Sequence, residues 1–72
     1  MLTYSPEQIA DELTKTALGE SYHGNALYVA MDFPCVSAED IPCLTRYMHG
    51  SITSTDHVKL QQIANKIREF KQ

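Results

Sequence analysis

Tyr22-His23-Gly24-Asn25-Ala26-Leu27-Tyr28-Val29-Ala30-Met31-Asp32-Phe33 is the segment that separates an all-α chain from a mixed one. Leu27, Val29, Met31 and Phe33 alternate with Ala26, Tyr28, Ala30 and Asp32, which is a strand period. No second segment alternates well enough to pair with it. A lone strand leaves its backbone groups unpaired unless a second subunit supplies an edge. Ala26, Leu27, Ala30 and Met31 are good helix formers, Asn25 offers a cap, and Phe33-Pro34 offers an end. A short helix is the prediction for this stretch.

Upstream, Ser5-Pro6-Glu7-Gln8 reads as a helix start. Ser5 caps free amides, Pro6 suits the first helical position, and Gln8 supplies the second half of a capping box. Tyr4 and Ile9 are placed for a hydrophobic staple. Ile9, Leu13 and Ala17 recur at helical spacing, with Thr16 beside them, and Gly19 is a natural stop. These signals predict a helix over residues 6–18.

Downstream, Asp40 is placed as a cap, with Pro42 in the tolerant first turn. Ile41, Leu44 and Met48 form a stripe flanked by Tyr47, and Gly50 ends that helix. Ser54-Thr55-Asp56 offers further caps, and Ile52 is placed to pack back on Val58. Leu60, Ile63, Ala64, Ile67 and Phe70 then make the strongest helical stripe in the chain. The expected fold is all-α: one domain over residues 1–72, a compact bundle of three or four short helices. Its core should include Ile9, Leu13, Leu27, Ile41, Leu44, Leu60, Ile63 and Ile67.

The chain has 72 residues, with six Lys+Arg against nine Asp+Glu. That length leaves little room for a deep catalytic cleft, and the acidic balance disfavours a strongly basic nucleic-acid binder. At 43% hydrophobic and 21% charged, it is too apolar for a disordered chain. No secretory signal pattern and no apolar run of membrane-spanning length is present, so a cytoplasmic protein without membrane contact is expected.

Charge is unevenly distributed. Residues 1–40 carry one Lys and seven acids, whereas residues 57–72 carry Lys59, Lys66, Arg68 and Lys71 against Glu69. The simpler reading is of solvated helix faces that differ in sign. The alternative is attraction between the acidic front and basic tail, within one chain or between two.

Little in the chain points to chemistry. Cys35, Cys43, His49 and His57 have no close pair of the kind that zinc sites are built on, so no metal and no cofactor are expected. The cysteines read as free thiols and small core hydrophobes. No motif surrounds either of them, and the isolated glycines form no phosphate loop, so the chain is not expected to be an enzyme. The connection Gly50-Ser51-Ile52-Thr53 resembles that of a helix–turn–helix. Against a DNA role, Asp56 would repel phosphate at the start of the last helix, and bulky Arg46 stands where a small residue is usual.

The segments Leu44-Thr45-Arg46-Tyr47-Met48-His49-Gly50, Thr55-Asp56-His57-Val58 and Leu60-Gln61-Gln62-Ile63-Ala64 resemble the small early-region accessory proteins of temperate lambdoid bacteriophages and prophages. The resemblance spans residues 41–70. It implies a non-essential modulator acting through host or phage protein partners, and it transfers no functional residue.

The expected function is therefore non-enzymatic, through protein–protein contact. The alternative is a small DNA-associated regulator with a basic C-terminal helix on phosphate. The stripe running to Phe70 suggests a homodimer, because a chain of this size covers so much apolar surface with difficulty. The expected interaction surface is Val58, Ile67 and Phe70, with Lys66 and Lys71 beside them.

Overall fold

A computed structural model describes residues 5–70. Four helices follow in order: α1 (Pro6–Ala17), α2 (Gly24–Ala30), α3 (Ile41–His49) and α4 (Asp56–Glu69). The architecture is the all-α bundle expected, and no strand occurs among the described residues. α1 and α4 make the most extensive pairing, while α2 packs on α1 and α3.

α1 starts as its sequence dictates. Ser5 Oγ accepts the Gln8 N–H at 3.1 Å, satisfying one of the amides that a helix start leaves free. Gln8 does not complete a capping box: its Nε2 donates instead to Glu12 Oε2, one turn on. The staple expected from Tyr4 lies outside the described residues. Gly19 ends the helix with φ +76°, a conformation that costs glycine nothing.

The ambiguous segment is helical because of which residues face inward. Ala26, Leu27, Ala30 and Phe33 are buried, at spacings of one, four and seven, while Tyr28 is exposed. That set follows a helical turn and not a two-residue alternation. Asn25 is not the cap; His23 holds that position without a side-chain hydrogen bond. Beyond Ala30 the chain tightens, with the Met31, Asp32 and Phe33 amides each bonding three residues back, before Pro34 stops it.

α3 is rotated from the expected stripe. Cys43, Leu44 and Tyr47 are buried, while Ile41 and Met48 are only partly so. Ile41 is the first residue of the helix, where one side still faces solvent. The other seven expected core residues are fully buried. Ile52 and Val58 are both exposed, so the expected packing between them leaves most of each in solvent.

α4 turns Leu60, Ile63, Ala64 and Ile67 wholly inward. Phe70, just past its end, meets Phe33 edge-to-face with ring centroids 5.8 Å apart. Ile67 and Phe70 are therefore used by the chain's own core. No described helix is long and apolar enough to cross a membrane.

Candidate functional site

Two buried aspartates organise the polar interior. Asp40 stands at the entry to α3 but caps nothing with its side chain. Its Oδ2 accepts the Ser37 N–H at 3.1 Å and Lys66 Nζ at 2.8 Å. Lys59 Nζ approaches Oδ1 at 2.8 Å, off the line of a good hydrogen bond, so that contact is an ion pair. Burial alone would raise the Asp40 pKa; the two lysines and the Ser37 amide reverse this and hold it well below the usual carboxylate range.

Asp56, in the first turn of α4, receives Arg46 as a two-point fork, Nε to Oδ2 and Nη2 to Oδ1, both at 2.7 Å. The Thr53 N–H donates to Oδ2 at 2.9 Å. Arg46 is the main reason that the Asp56 carboxyl also lies well below its ordinary range, against the opposing effect of burial. The Arg46 that departs from helix–turn–helix usage is thus the partner of a buried acid.

These pairings answer the question raised by the uneven charge. Lys59 and Lys66 close on Asp40, and Arg68 Nη2 meets Asp11 Oδ1 at 2.9 Å across α4 and α1. The described cations of the basic tail are thus paired with acids of their own chain while remaining partly exposed. Lys15 is the one described Lys or Arg outside the ion pairs.

The expected interaction surface does not assemble. Ile67 is sealed in the core, Phe70 is half-buried against Phe33, and Lys66 is bound to Asp40. Val58 alone of the three apolar members is well exposed, and Lys71 lies outside the described residues.

Exposed apolar surface appears instead at the end of the bundle where α1 and α3 both terminate. A groove there is lined by Tyr22, Tyr47, Met48, His49 and Ile52, with Thr16 and the two helix-ending glycines in its walls. Gly50, like Gly19, takes a positive φ, +75°. Tyr22 is 60% exposed and Ile52 40%; Leu18, Tyr28 and Val58, outside the groove lining, are exposed as well. Tyr22 is seated by Gly24: a Cβ there would stand 3.2 Å from the tyrosine ring.

Tyr47, one of the lining residues, is pinned from behind. His57 Nδ1 lies 3.0 Å from the Ala17 carbonyl oxygen and 3.0 Å from Tyr47 Oη. A carbonyl can only accept, so the tautomer with hydrogen on Nδ1 fits, its proton shared with the tyrosine oxygen. This one side chain joins the end of α1, the wall of α3 and the first turn of α4.

The reactive candidates are placed differently. Cys43 is buried, its Sγ donates to the Asp56 carbonyl at 3.6 Å, and burial pushes its pKa up to about 11, the opposite of an activated thiol. Among the described residues, no three His, Cys, Asp or Glu gather as metal ligands. Ser21 Oγ is 2.8 Å from His23 Nε2, and His23 Nδ1 is 3.6 Å from Glu12 Oε1. That order of groups resembles a nucleophile relay. The serine is exposed, however, and the neighbouring Gly19 and Glu20 amides already donate to Thr16 and Lys15 carbonyls. Together with the His23 N–H donated to Thr16 Oγ1, the arrangement fastens the α1–α2 turn.

The sequence reading missed the groove because Tyr22 and Ile52 lie in connections, where no periodicity marks them. Its one visible sign was the pair of helix-stopping glycines. No protein-family model, curated protein or solved structure matches the chain.

Proposed function

We propose that the chain is a small, non-enzymatic interaction protein that docks a partner through the groove between the ends of α1 and α3. The observation that carries this reading is the exposure of Tyr22 and Ile52 beside Tyr47, which the His57 contact holds in place. An apolar surface on a rigid frame loses little conformational freedom on binding. The resemblance of residues 41–70 to lambdoid accessory proteins supports host or phage proteins as the partners. The reading needs no dimer through α4, whose apolar stripe belongs to the core.

The DNA-associated alternative is weakened by the ion pairs. Arg46, Lys59, Lys66 and Arg68 would each have to leave an aspartate to neutralise phosphate. Titration against duplex DNA at two salt concentrations tests it: weak binding is expected, and tight, steeply salt-dependent binding would reverse the ranking.

The docking reading is tested with the double variant Tyr22→Ser/Ile52→Ser. Both side chains are exposed, so folding should survive. Affinity capture from the native host should recover a partner with the wild-type chain and lose it with the variant. Equal recovery by both would contradict a role for the groove.

A further inference from the structure

We draw no further inference here: the strongest candidate, the groove between the ends of α1 and α3, belongs to the docking site already described, and nothing in the structure shows what covers it.

Discussion

Asp40 and Asp56 occupy matching places, each at the entry to a helix and each buried, yet they are satisfied in different ways. Asp56 has one cation, ten residues away, delivered as a rigid two-point fork. Asp40 has two, Lys59 and Lys66, reaching on flexible stems from points about two turns apart on α4. A guanidinium fork fixes geometry, whereas ammonium groups act as movable point charges. The α3–α4 corner thus has a single charged contact, the Arg46 fork, beside the uncharged Tyr47–His57 and Cys43–Asp56 carbonyl hydrogen bonds. The loop before α3 is tied to α4 by two contacts, either of which leaves the aspartate compensated.

The largest effect should come from removing that duplication. In Lys59→Met/Lys66→Met, Asp40 keeps only its Ser37 donors. Leaving a buried carboxylate uncompensated costs about 3–5 kcal/mol, a large share of the stability of a small domain. Each single variant should cost much less than half of the double, because the other lysine remains. Urea unfolding of the three proteins checks this, and additive losses would mean that the lysines are not alternatives.

Next in size is the exchange of cation type. Arg46→Lys replaces the fork at Asp56 with a point charge and should lower the urea midpoint clearly. Lys59→Arg at Asp40 should leave it nearly unchanged. Equal falls would show that the two sites do not differ as their geometry indicates.

A smaller, graded effect is expected with pH. Both carboxylates are held below the unfolded value of about 3.9. Below that value the unfolded chain binds more protons than the folded one, so stability rises with pH there. Their contribution should be complete above about pH 5 and drain away as pH falls through 4 and lower. Urea midpoints from pH 6 to 2.5 check this, and Asp40→Asn should flatten the slope.

The smallest effect should be at the third cross-helix pair, Arg68 with Asp11, which lies in solvent. Arg68→Ala should cost less than about 0.5 kcal/mol. A larger loss would require a contribution beyond the ion pair itself.

The same contrast explains what was legible in the sequence. α1 could be read residue by residue, since Ser5, Pro6 and Gly19 act within one turn of where they sit. Asp40 and Asp56 look identical to caps by the same local rules, but their partners lie across the bundle. Which cation reaches them depends on packing that no window of sequence contains. Ile67 and Phe70 show the converse: their stripe is legible locally, but its meeting with Phe33 depends on where the α2–α3 connection lies. The groove belongs to the same class, being made of two loops that meet only because α1 and α3 end at the same place.

The polar interior rests on Arg46, Lys59 and Lys66 being engaged by two ionised, buried aspartates. Carbon-13 titration of the Asp40 and Asp56 carboxyl resonances in the folded chain tests it directly. Both should remain ionised through the pH range around 3.9 where an unperturbed aspartate takes up its proton. Protonation of either at or above that value, in a chain still folded, would contradict it.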